Sequence, residues 1–202
     1  MVATGTRGCS SMLSAIISTH ESERSLVPTL AALVPGAAAG LLADVVVADA
    51  NSRDATAEVA DIAGCRFLAS SDPLGTRLKG AAATTRSPWV LFLRAGATPQ
   101  SGWIEATEHF IRTSSEVDGP PAAAVFRALD VTNYRRSRLS EIAALFIAAI
   151  GAPKPEQGLL IPRRFYDAIG GHRDIEDAEA DLLRRIGRRR LTLLPAAVTT
   201  AR

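Results

Sequence analysis

Cysteine is nearly missing from these 202 residues: Cys9 and Cys65 are the two, and neither belongs to a CxxC pair. That excludes a disulfide framework and makes a reducing, cytoplasmic compartment the simpler expectation. Aromatic residues make up only 5% of the chain, so alanine and branched aliphatics must fill any core. Long apolar runs are also absent. The most apolar stretch, IAALFIAAIGA from Ile142, falls well short of the roughly 20 residues needed to cross a bilayer. The opening MVATGTRGCSSMLSAIISTHESE carries one early arginine, but Ser and His interrupt its apolar run, so no secretory leader is expected. Charge of one sign is scarce as well, with 23 basic residues against 21 acidic ones, a net +2. A nucleic-acid-coating protein needs a larger surplus, and no nucleic acid partner is expected. Neither GxGxxG nor GxxxxGK followed by Ser or Thr occurs, which disfavours a dinucleotide dehydrogenase and a P-loop enzyme.

What is present is core-forming material, 47% hydrophobic and 22% charged, patterned into alternating strands and helices. The apolar runs Leu13–Ile17, Asp44–Ala48 and Trp89–Leu93 are bounded by polar turns, as strands covered on both faces of a parallel sheet would be. Between the first two, Leu26, Leu30, Leu33 and Val34 share a helical face. Ser22 or Ser25 is placed to cap that helix and Pro35-Gly36 to stop it. The turn cluster Asn51-Ser52-Arg53-Asp54 precedes a helix over Ala55–Ala63 that ends at Gly64. Cys65–Ala69 then reads as a strand and Leu78–Thr85 as a helix. Further on, SGWIEATEHFIRTSSE predicts a helix and Ala122–Leu129 a strand. Helices are expected at Leu139–Ile150, Phe165–Ile169 and Ala178–Ile186, before a last strand at Leu191–Leu194. The alternation argues for one α/β domain built on an open, mostly parallel sheet with helices on both faces. No Gly/Ser linker divides residues 12–100 from residues 101–200.

Ligands of such sheets bind beyond the carboxyl ends of the strands. Those ends read STHESE, DANSRD, SSDPLGTRLKG and RAGATP. Hydroxyls and carboxylates in the first two, with Arg77 and Lys79 in the third, suit a nucleotide held by base, ribose and phosphates.

At these loops the chain resembles a known family. LSAIISTHESERSLVPTLAAL, DVVVADANSRDATAEVA, SPWVLFLRAGATPQSGWIE and EQGLLIPRRFYDAIGGHRDIEDAEADLLRRIGRRRLTLLPAAVTT are similar, in order and spacing, to family-2 glycosyltransferases of the GT-A fold. The likeness runs from about Leu13 to Thr200. It implies transfer of a sugar, with inversion, from a nucleotide-sugar donor to an acceptor hydroxyl, with residues 12–100 forming the donor half and residues 101–200 the acceptor half.

Residue by residue, Thr19 matches the family's first strand end, while Glu21 falls where Asn is usual and Ser22 where Glu is usual. Asp49 matches the acid that contacts the base. Ser52, Asp54 and Thr56 match the following turn, the last two being better read as helix caps. Arg77 falls in the pyrophosphate loop, with Lys79 beyond it. After the fourth strand the family places Asp-x-Asp, whose carboxylates hold a divalent cation against the donor diphosphate. Here Arg94, Ala95 and Gly96 stand there, so the usual Mg or Mn ligands are missing and no metal is expected. Three readings of Arg94 compete: direct pairing with phosphate in place of the cation, a decayed site in a non-catalytic nucleotide-binding or partner protein, or a plain surface salt bridge.

Asp174, Glu176, Asp177, Glu179 and Asp181 crowd the stretch after Gly170-Gly171, where the family keeps its catalytic base in an E-D-x-D stretch. An ungapped count makes Glu179 the base with Asp181 as second acid, and matching letters makes it Asp177. Acids at a helix start also favour its positive end, which covers one or two of the five. Arg184, Arg185, Arg188, Arg189 and Arg190 follow. They suit diphosphate, an anionic acceptor or a peripheral membrane contact, or a solvated helix face pairing with the preceding acids. His20 and His172 read as lone hydrogen-bonded loop residues rather than metal ligands.

Overall fold

The computed structural model describes residues 12–116, 119–129 and 153–200. The helix expected at Leu139–Ile150 and the first cysteine, Cys9, lie outside the described residues. Among the described residues, eight strands form one sheet. In chain order the elements are β1 (Leu13–Thr19), α1 (Glu23–Ala38), β2 (Leu42–Asp49), α2 (Thr56–Ile62), β3 (Arg66–Ala69), α3 (Leu74–Thr84) and β4 (Trp89–Arg94), then β5 (Ala97–Pro99), α4 (Trp103–Glu116), β6 (Ala123–Leu129), β7 (Leu159–Pro162), α5 (Arg163–Ala168), α6 (Ala178–Ile186) and β8 (Leu191–Thr200). The strand order is β3-β2-β1-β4-β7-β6-β8-β5. The first four strands are parallel, β7 runs antiparallel between β4 and β6, and β8 runs parallel to β6 and antiparallel to β5.

Strand pleating explains the layers. Along β1 and β4, Leu13, Ala15, Ile17, Leu91 and Leu93 face a core shared with α1, Ala60 of α2 and α4. Ile16, Val90 and Phe92, one residue out of phase, face a second core shared with α3, α5 and α6. Each of these strand side chains is at most 3% exposed, worth roughly 1.5–3 kcal/mol apiece for the larger ones. Burial on both faces is why these strands read as continuous apolar runs rather than alternating ones.

Three sequence expectations change. The first helix does not stop at Pro35-Gly36 but runs to Ala38. Pro35 removes one backbone donor, yet a Cβ on Gly36 would lie 2.5 Å from the indole of Trp103. The glycine thus lets α1 pack closely against α4, and that contact carries the helix past the proline. The last strand extends to Thr200 because its second half pairs with β5 and β6. The two short strands β5 and β7 were not anticipated. Among the described residues no helix is long and apolar enough to cross a membrane.

Candidate active site at the carboxyl ends of the strands

The loops after β1 and β2 are stitched together. Asp49, fully buried at the end of β2, accepts hydrogen bonds on Oδ1 from the Thr19 hydroxyl (2.6 Å) and the Ser52 hydroxyl (2.6 Å), and on Oδ2 from the Ser52 N–H (2.7 Å). Ser52 Oγ in turn accepts the Glu21 N–H at 2.8 Å, and the Glu21 carboxylate accepts the Arg53 N–H at 2.8 Å. Glu21 has φ +47° and Asn51 φ +56°. Asn adopts that left-handed conformation readily, whereas it costs Glu21 about 1 kcal/mol or more, and the two cross-loop bonds of Glu21 hold it there. Ser22 occupies the N-cap position of α1 without capping it. The helix start is satisfied from the neighbouring loop instead, with Glu23 N–H donating to Asp54 and Ser22 N–H to Thr56. Asp54 also accepts the Thr56 N–H and hydroxyl at the start of α2. The Thr56 bond, then the Glu23 N–H, keeps its carboxyl below the usual range. Asp54 and Thr56 are therefore caps, and Asp49, Thr19 and Ser52 form a rigid polar floor.

Arg77 crosses the ends of β1 and β2. Its Nη1 donates to Ala48 O (2.7 Å) and Thr19 O (3.4 Å), and its Nε to Asp72 O. Burial lowers its pKa, and the Asp49 and Asp72 charges work the other way. Lys79 is exposed on the same helix. Two residues apart on a helix, the side chains project about 200° from one another, so they do not form a joint clamp here.

Arg94 ends β4, where its backbone is pinned because Ala95 N–H donates to Ser18 O and Gly96 N–H to the Thr29 hydroxyl. Its guanidinium meets the acidic cluster. Nε donates to Glu179 Oε2 at 2.8 Å, Nη2 pairs with the same oxygen, and Nη1 lies 3.5 Å from Glu156 Oε1. Burial works against the Arg94 charge. The Glu179 bond and charge, with Glu156 and Asp177 beyond, outweigh it and raise the pKa. Glu179 sits in the first turn of α6, fixed by its buried neighbours Ala178, Leu182 and Leu183, and its own side chain is 11% exposed. Asp177 precedes the helix and is exposed. Asp181 pairs with Arg185 at 2.7 Å and faces Arg173 at 3.9 Å. The Arg185 bond, ahead of opposing burial, lowers its pKa. Because Arg185 also donates to Ile169 O and Gly171 O, Asp181 braces the turn ahead of α6. Arg190 stacks on Phe165 at 4.8 Å, and Arg184, Arg188 and Arg189 are exposed.

Beside Glu179 is a small concavity lined by Phe92, Lys154, Gly158, His172, Glu179 and Leu183. Two residues near the Arg94–Glu179 pair, Glu156 on Arg94 and His172 in the concavity, escaped the sequence reading. Glu156 precedes β7, a short apolar run between Gly158 and the end of Pro162 that marks a strand only once its partners are known. His172 reads as a lone loop histidine. It is 2% exposed, with Nδ1 2.9 Å from the Tyr166 hydroxyl, which also accepts its backbone N–H at 3.1 Å. Burial, and then the Arg185 charge, pushes its pKa down to about 3, while burial pushes Tyr166 up to about 12.

The fold is that of the GT-A-type glycosyltransferases. No protein-family model and no curated protein sequence matches the chain. Among solved structures, glucosyl-3-phosphoglycerate synthase from Mycobacterium tuberculosis, in complex with Mn2+, UDP and phosphoglyceric acid, is similar with TM-score 0.65 at 14% identity, over 95% of this chain and 71% of its own. TarS from S. aureus is similar with TM-score 0.67 at 15% identity, over 94% of this chain and 36% of its own. Mannosyl-3-phosphoglycerate synthase from Rubrobacter xylanophilus is similar with TM-score 0.59 at 17% identity, over 90% and 64%.

A divalent cation does not fit the residues at the end of β4. Hard cations seek oxygen ligands, whereas a guanidinium occupies the position, and Glu179 and, at longer range, Glu156 each turn one oxygen to it. Among the described residues no group of three His, Cys, Asp or Glu side chains is assembled that could hold a metal.

Proposed function

We propose that the chain is a glycosyltransferase that moves a sugar from a nucleoside-diphosphate donor to an acceptor hydroxyl with inversion, without a metal. One observation carries the reading. Within a GT-A-type sheet, a guanidinium from β4 and a carboxylate from α6 meet at the strand ends, 85 residues apart in sequence. Residues 12–100 supply the donor side, with Asp49, Thr19 and Ser52 as floor, Glu21 at its rim and Arg77 toward the phosphates, while Lys79 projects away from Arg77. Residues 101–200 supply the acceptor side.

In the reaction, Glu179 takes the proton from the acceptor hydroxyl as that oxygen bonds to the anomeric carbon from the face opposite the leaving group. The bond from that carbon to the β-phosphate oxygen breaks, and its electron pair leaves with the diphosphate. Arg94 faces the growing charge and stabilises it by charge-assisted hydrogen bonds. Glu179 is favoured over Asp177 as base because it lines the concavity while Asp177 stands outside it. Asp181, spent on Arg185, positions the turn.

Thermal shift with UDP, GDP and their sugars, each with Mn2+ or with EDTA, tests the proposal, since ligands of the folded state raise its melting point by mass action. The expected result is a stabilising shift that EDTA leaves intact and that Arg94→Ala reduces at least tenfold in apparent affinity. Loss of the shift on chelation refutes the metal-free site. A second reading, a GT-A-fold binding protein without catalysis, draws on the same pair, because Arg94 occupies the carboxylate that catalysis would need. No shift with any nucleotide sugar, or binding without transfer to any acceptor, would favour it.

A further inference from the structure

We infer that the Arg94–Glu179 ion pair is a latch: the donor diphosphate takes the guanidinium from Glu179, and only then is the carboxylate free to act on the acceptor. The inference rests on the proposed function and concerns the order of events within it. All three nitrogens of the Arg94 guanidinium are engaged, Nε and Nη2 by Glu179 and Nη1 by Glu156. A phosphate that takes the Nε–Nη2 edge must therefore displace the Glu179 oxygen, and the largely buried carboxylate loses its partner as the phosphate gains one. Exposure sets the direction. The Arg94 side chain is 41% exposed and Glu179 only 11%, so an incoming phosphate can approach the guanidinium from solvent. An acceptor hydroxyl, by contrast, meets a carboxylate covered on the oxygen that Arg94 holds.

Both ends are mounted on fixed elements. Arg94 stands on a central strand whose next two N–H groups are bonded to β1 and α1, and Glu179 stands on a helix buried along Ala178, Leu182, Leu183 and Ile186. The side chains, rather than the backbone, must therefore move, and the latch opens by rotation of the guanidinium toward the phosphate. The consequence is that the donor's arrival readies Glu179 Oε2 for the acceptor.

The test is titration calorimetry of UDP, GDP and inorganic pyrophosphate, in EDTA, on the wild-type protein, Glu179→Gln and Glu156→Gln. Circular dichroism melts verify that both variants fold. Releasing the latch should tighten the best of these ligands about tenfold in Glu179→Gln, a change of about 1.4 kcal/mol. Glu156→Gln removes the same unit charge but only the long, exposed contact, so it should gain less than about threefold. Binding detectable only in Glu179→Gln would support the latch in its strongest form. Equal gains in the two variants would show a simple charge effect and overturn it, as would no gain in Glu179→Gln when the wild type binds. Absence of binding in all three proteins would instead refute the nucleotide-sugar reading itself, and the latch with it.

Discussion

Lowering the pH from 7 to 4.5 should destabilise the protein chiefly through one side chain, His172. It is 2% exposed, its Nδ1 is held by the Tyr166 hydroxyl, and it packs edge-on against the Phe92 ring at 4.8 Å. Burial first, and the Arg185 charge second, pull its pKa from 6.5 to about 3, against a smaller opposing pull from Asp181. Glu179 lines the same concavity. The folded value lies below the unfolded one, so as pH falls the unfolded chain gains a proton that the folded chain refuses. Stability is complete above the unfolded pKa and drains away below it. The slope is about 1.36 kcal/mol per pH unit once the unfolded histidine is charged. Integrated from pH 7 to 4.5, this amounts to about 2.5 kcal/mol, or about 5–10 °C in melting temperature for a domain of this size. The control is His172→Asn, whose amide reaches the Nδ1 position and carries no titrating proton. Urea denaturation at half-unit pH steps should show the wild type losing this increment relative to the variant. Parallel curves for the two proteins would refute the reasoning, because they would mean that His172 charges freely inside the fold.

Two further substitutions probe the supports of the site. Gly75→Ala ought to stabilise an α-helix on propensity alone. Here its Cβ would fall 1.8 Å from the Arg173 carbonyl oxygen, so a loss of more than about 2 kcal/mol is expected by denaturant unfolding; a gain would show that α3 does not press on that turn. Asp49→Asn leaves three donors facing a group that accepts less well. Denaturant unfolding should show a cost of about 1–3 kcal/mol, and UDP affinity should fall in parallel; unchanged stability would mean that this floor is not rigid.

The chain alone determined its layers. Runs such as Trp89–Leu93 are apolar on both faces, as a strand sandwiched by helices is, and the polar turns between them placed the strand ends at STHESE, DANSRD and RAGATP. The pairing of Asp54 and Thr56 with helix starts was legible too, because capping acts over a few residues. What stayed hidden depends on partners far away in sequence. The run Leu159–Pro162 is too short to declare itself a strand until β4 and β6 flank it. Pro35-Gly36 looks like a helix stop until Trp103 is found against the glycine. The meeting of Arg94 with Glu179 across 85 residues is likewise a product of the fold. Periodicity and turn chemistry are local, whereas ion pairing, and with it the state of the candidate base, is settled only when the sheet brings distant loops to one edge.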